Sequence, residues 1–218
     1  MFLLALSLFF QVTSAAQSAV VRTFDDDKIG APPAGFAMAA GREAPADLWT
    51  VKREGSGRVL SHEGKAAPAD SFAVAIFSGG QYSDVEVSVR LKATGGGRAA
   101  GLVWKYQDPN NHYSAQLDLV RQEVVMYRVA AGNRIRLERE DDLELDPDAW
   151  YSMKIRQEDG QIRVYLGGIR LFSERDRLPR TPSNVGIWVA GDSTVMFDDF
   201  RVEDRMGDAP APRTPAKQ

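Results

Sequence analysis

No cysteine occurs among the 218 residues. That absence excludes disulfides, thiolate metal sites, a cysteine nucleophile and a lipid-bearing cysteine behind a leader. Histidine is scarce too: His62 and His112 are the only two, so a hydrolytic zinc site, which normally needs three protein ligands, would have to draw on carboxylates. Charge of one sign is not in excess. The 27 Lys and Arg stand against 30 Asp and Glu, for a net charge of -3, and they are interspersed, so nucleic acid is not an expected partner. Long apolar runs are missing. The one short run, MFLLALSLFF at 1–10, leads into QVTSAAQSA, and no Lys or Arg precedes it. It is too short for a stable membrane anchor and reads as a secretory leader over residues 1–19, cleaved near Ala15, Ala16 or Ala19. The mature protein is then expected in the periplasm or the medium, off the membrane. Finally, no segment carries a sustained helical stripe of apolar residues.

What is present has period two. The chain is 44% hydrophobic and 26% charged, enough for a sizeable core. In SDVEVSVRLKA (83–93), Val85, Val87, Val89 and Leu91 alternate with Glu86, Ser88 and Arg90, the pattern of a half-buried strand. In YSAQLDL (113–119), Tyr113, Ala115, Leu117 and Leu119 alternate with Ser114, Gln116 and Asp118; QIRVYL (161–166), NVGIWVA and TVMFDDFRV are further runs of this kind. Turn residues separate them: GGG at 95–97, DPNN at 108–111, AAGN at 130–133, LDPD at 145–148, EDGQ at 158–161 and AGDS at 190–193. From residue 70 onward the pattern predicts about nine strands. The expected fold is an all-β antiparallel β-sandwich of jelly-roll type over 20–204. The Pro- and Ala-rich end, 205–218, reads as a disordered tail.

Several segments together carry a resemblance: FDDDKIGAPPAGF, W-x-V at 49–51, SDVEVSVRLKA, GLVWKYQDPNNHYSAQLDL, DPDAWYSMKIRQEDGQIRVYLGGIRLF and VGIWVAGDSTVMFDDFRVE. In this order they resemble the concanavalin A-like/laminin G-like jelly rolls, and within them the bacterial exported domains grouped with 3-keto-disaccharide hydrolases and family 16-like glycoside hydrolases. The resemblance spans roughly 22–204 and implies a carbohydrate partner, in a superfamily that mixes enzymes, lectins and adhesion modules. Two departures bear on activity. The paired-glutamate strand of laminarinase-type enzymes has its nearest counterpart in ELDPD (144–148), which lacks the final Glu and contains a Pro that a central strand does not accept; it reads as a turn. Where the keto-sugar hydrolase-like group places a glutamate, this chain has Ser114, with Gln116 in place and Asp118 displaced by one. The resemblance therefore implies a non-catalytic carbohydrate-binding or carbohydrate-associated module. The alternatives are a glycoside hydrolase acting on 3-keto-glucosides and a structural or adhesion domain that binds protein.

Candidate residues follow from the alternation. If the apolar positions face the core, then Glu86, Ser88, Arg90, Lys105, Ser114, Gln116, Asp118 and Arg128 share an outer face. That face is either a sugar-binding surface or a solvated one held by cross-strand ion pairs. Lys105, His112, Gln116 and Arg128 are the candidate polar contacts, with Trp188 as a stacking platform between core-type Ile187 and Val189; Trp104 reads as core. An enzyme would use Asp118 or Glu86 with His112. The acid clusters Asp25, Asp26, Asp27 and Asp198, Asp199 would meet if first and last strands pair, as the resembled jelly rolls imply. Asp26, Asp27 and Asp198 are then candidate ligands for a structural Ca²⁺, whose preference is for hard oxygen donors.

Overall fold

The computed structural model describes residues 19–41, 48–64, 68 and 71–205. The leader expected over 1–19 and the tail over 205–218 fall, but for Ala19 and Arg205, outside these residues. The strands are β1 (Val20–Arg22), β2 (Phe36–Gly41), β3 (Trp49–Glu54), β4 (Gly57–His62), β5 (Phe72–Phe77), β6 (Val85–Gly95), β7 (Ala99–Asp108), β8 (Asn111–Asp118), β9 (Glu123–Ala130), β10 (Asn133–Glu140), β11 (Tyr151–Glu158), β12 (Gln161–Leu166), β13 (Ile169–Arg175), β14 (Asn184–Ala190) and β15 (Thr194–Asp204). Eleven of them follow residue 70 rather than nine. One reason is that NRIRLERE, rich in helix formers, is the edge strand β10, whose mostly exposed side chains leave no apolar alternation to read.

Two antiparallel sheets result. The eight-stranded sheet runs β13-β12-β11-β6-β15-β4-β3, with β1 also on β15; the seven-stranded sheet runs β10-β9-β8-β7-β14-β5-β2. Sequence neighbours pair through tight turns where the chemistry allows. Asp159–Gly160 and Gly167–Gly168, all at positive φ, join β11 to β12 and β12 to β13, the backbone hand that matches strand twist in two-residue hairpins. The first and last strands pair, Val20 opposite Val202. The two sheets stack through their inward residues, among them Val87, Val89 and Leu91 on β6, Leu102 and Trp104 on β7, Ala115 and Leu117 on β8, Ile155 on β11, Ile187 on β14 and Phe197 on β15. This is a jelly-roll β-sandwich, held without a covalent cross-link by apolar burial worth about 25 cal/mol per Å².

One pair of polar groups taken into this core bonds across the two sheets. The Trp104 indole N–H donates to Gln157 Oε1 at 2.9 Å, tying β7 of one sheet to β11 of the other, and Gln157 is 1% exposed. We expect Gln157→Leu to orphan the indole donor and cost about 1–3 kcal/mol. Denaturant midpoints would measure this, with Trp104→Phe in the Gln157→Leu background recovering part of the loss; additive costs would show that the two groups are not coupled.

His62 on β4 is wholly buried, edge-on to Trp49, with Nδ1 2.9 Å from the Ser193 carbonyl. Burial pushes its pKa down, against the opposing pull of the Ser193 bond. The unfolded chain therefore takes up a proton near the ordinary histidine pKa of about 6.5 while the folded chain resists it. Stability contributed this way is complete above that pH and declines as pH falls towards the lower folded pKa. We expect the unfolding free energy to drop between about pH 7 and about pH 5, with a shallower slope in His62→Gln; an unchanged slope in the variant would contradict the assignment.

Candidate functional site

The seven-stranded sheet is apolar on both faces. Alternation sends Ala73, Ala75, Leu102, Trp104, Ile187 and Val189 into the main core, and the residues between them outward. Those outward residues form a second buried cluster: Phe72, Val74 and Ile76 on β5, Val103 and Tyr106 on β7, Trp188 and Ala190 on β14. Above them the rings make a continuous run. Phe72 stacks on Trp188 with centroids 6.2 Å apart, meets His112 at 5.3 Å, and His112 meets Tyr106 at 5.9 Å.

Beside this run, on β8 and β9, lies a trough of about 300 Å³. Its floor and walls include Phe72, Trp188, His112, Gln116, Asp118, Glu123, Val125, Tyr127 and Arg134. The polar side chains are oriented by one another. Arg134 donates to Gln116 Oε1 at 2.5 Å, and Gln116 Nε2 donates to Ser114 Oγ at 2.8 Å. The Arg134 guanidinium also lies 3.6 Å from the Tyr127 ring centre, a cation–π contact that fixes its plane. Glu123 accepts from Arg139 at 2.5 Å. Asp118, opposite Glu123 in register, accepts from the backbone N–H of Val120 and Arg121. His112 is held neutral: burial lowers its pKa, outweighing the raising influence of the Asp108 backbone and charge. Burial, helped by the Asp108 charge, pushes Tyr106 up to about 12, so its hydroxyl keeps its proton.

The expected outer face divides three ways. Gln116, Ser114, Asp118, His112 and Trp188 do line or underlie one surface. His112 is a buried strand residue, and Trp188 faces outward yet is 6% exposed because Phe72 packs on it. Glu86 belongs elsewhere, since β6 lies in the other sheet; there it sits 3.6 Å from Lys154 and 3.9 Å from Arg156. Arg128 is out of phase with Gln116. EVVMYRVA offers apolar residues at four consecutive positions, and the register sets Tyr127 outward and Arg128 opposite inward-facing Tyr113. Lys105 is displaced by a bulge between Trp104 and Asp108 that holds it at φ 47° and turns its ammonium to Asp176 at 2.6 Å. Phe72, Glu123, Tyr127 and Arg134 were not among the sequence candidates. The last three lie in EVVMYRVA and NRIRLERE, runs whose residues do not alternate and so give no phase to read.

At the chain ends, Asp27 is paired with Arg22 at 2.8 Å and caps the Ala34 N–H. Asp26 is exposed. Asp198 has its pKa raised, by burial foremost and by the Asp199 and Asp25 charges, although the Asp199 N–H and Arg90 oppose the rise. Among the described residues no group of three or more His, Asp or Glu side chains is gathered as metal ligands.

The architecture is an all-β antiparallel jelly-roll sandwich. No family model matches the chain, and no curated protein does. Solved structures do. The carbohydrate-binding module CBM66 from Bacillus subtilis is 21% identical at a TM-score of 0.57, over 72% of this chain and 96% of that one. The β-glucanase of Bacillus licheniformis is 10% identical at 0.57, over 88% and 100%. The cellulose-induced protein Cip1 is 14% identical at 0.60, over 84% and 96%. At these identities the likeness is one of fold.

Proposed function

We propose that the protein binds carbohydrate in the trough on the outer face of the seven-stranded sheet, without cleaving it. The observation that carries this reading is the trough's lining: aromatic rings packed beside a pre-oriented Arg134–Gln116–Ser114 chain. Sugars present apolar C–H faces and a rim of hydroxyls. A ring platform takes the first, and amide, guanidinium and carboxylate groups in fixed positions take the second. The fold's appearance in a carbohydrate-binding module and a β-glucanase supports the same substrate class.

One observation favours a hydrolase instead: Asp118 and Glu123 face each other across β8 and β9, both lining the trough. Glycosidases work with two carboxyl groups flanking the scissile bond. Here Asp118 already accepts from two backbone amides and Arg121, and Glu123 from Arg139, which fits structural anchoring better than proton donation to a leaving group.

A glycan array followed by calorimetry tests the reading. We expect saturable binding that weakens about three- to tenfold in Gln116→Ala and Arg134→Ala and is unchanged in Lys154→Ala on the opposite face. Absence of any saccharide ligand would overturn it. Turnover of a 3-keto-glucoside, lost in Glu123→Gln, would replace it with the hydrolase.

A further inference from the structure

A second cavity, of about 190 Å³, opens where residues 176–183 cross from β13 to β14 at the end of the sandwich. It meets the trough at His112 and Val129, which line both. Among the described residues, two cations, Lys105 and Arg128, line it and no carboxylate does.

The two cations stand differently. Lys105 is neutralised by Asp176, at 2.6 Å, with their side chains 10% and 4% exposed. The Tyr113 hydroxyl donates to the same carboxylate at 3.1 Å, and the Leu178 N–H at 2.9 Å. Burial works against ionisation of Asp176, but these donors outweigh it and hold its carboxyl below the usual range. Tyr113, pushed up to about 12 by burial first and by Asp176 next, remains a hydroxyl. Lys105, Asp176 and Tyr113 thus form a fixed wall, and the strained φ of Lys105 is what the wall requires. Arg128 leans on that wall through the Tyr113 hydroxyl. Among the described residues it has no ion pair, and its Nε is buried without a hydrogen-bond partner. The Nε is closed off from the cavity, but the guanidinium lines it, and its fork of terminal N–H donors matches a planar carboxylate.

We propose that this cavity is a subsite for a carboxylate-bearing sugar, a hexuronate, with its carboxylate against the Arg128 guanidinium. The choice of a sugar rests on the trough reading, because the two cavities meet at His112 and Val129. Gln107, Asn111 and Thr181 supply neutral hydrogen-bonding groups around the same space for ring hydroxyls.

Calorimetric titration of the full chain with glucuronate and with glucuronamide, its uncharged isostere, tests the proposal. Glucuronate should bind at least about tenfold tighter than glucuronamide. Arg128→Gln should remove that preference, Arg128→Lys should not restore it, and affinity for neutral glycans should stay as in the parent. Because Arg128→Gln also loosens the support of Tyr113, amide shifts are followed in the unaltered protein. Glucuronate should move Leu178 and Thr181. Equal affinity for the two probes, no binding of glucuronate, or shifts confined to Gln116 and Trp188 would overturn the proposal. Glucuronate bound through Arg128, with neutral glycans bound nowhere, would remove the trough reading and leave this subsite standing.

Discussion

The arrangement depends on a sheet that must bury both of its faces. In the seven-stranded sheet, Ala73, Leu102 and Ile187 close the sandwich, while their strand neighbours Val74, Val103 and Trp188 face the other way and are just as apolar. Leaving those residues in water would forgo about 1.5–3 kcal/mol for each large side chain, so something must cover them. Phe72 stacks on Trp188, and His112 links Phe72 to Tyr106 on the same face. The run of rings is therefore a packing requirement first, and three of its members, Phe72, His112 and Trp188, also line the trough. His112 belongs to this cover: a charged imidazole there would be desolvated, and its lowered pKa expresses that cost.

The other sheet shows what an outer face looks like without such a requirement. Around Glu86 its surface carries Lys154, Arg156, Glu158 and Arg163 in ion pairs along and across the strands, each worth little in water. Both descriptions that the alternation permits, a binding surface and a solvated lattice of charges, are thus realised, one on each side of the sandwich. The difference lies in the identity of the outward residues and not in the strand pattern, which is the same for both.

That contrast explains which parts were legible in the sequence. The strand phase of β6 and β8 is plain because polar and apolar residues alternate strictly, and Val87, Val89, Tyr113 and Ala115 lie in the core accordingly. Phase failed on β9, where Val124, Val125, Met126 and Tyr127 offer no polar marker, and Arg128 was set on the wrong side. Sheet membership was not encoded at all in the alternation of β6: Glu86 has the right phase for an outer face, but its strand pairs with β11 and β15, far along the chain. Lys105 is turned aside by a bulge, which leaves no mark in an otherwise regular run. Arg134 was missed for a simpler reason. An edge strand exposed on both faces need not alternate, so NRIRLERE carried no strand signature.

A two-dimensional NMR titration of the isolated protein with a bound neutral oligosaccharide, following backbone amides, the Trp188 indole and the Gln116 side-chain amide, locates the binding face. The largest shifts should fall on Trp188, Gln116, Tyr127 and Arg134, with the face around Glu86 and Lys154 silent. Shifts centred on that opposite face, with the Trp188 indole unmoved at saturation, would contradict binding in the trough.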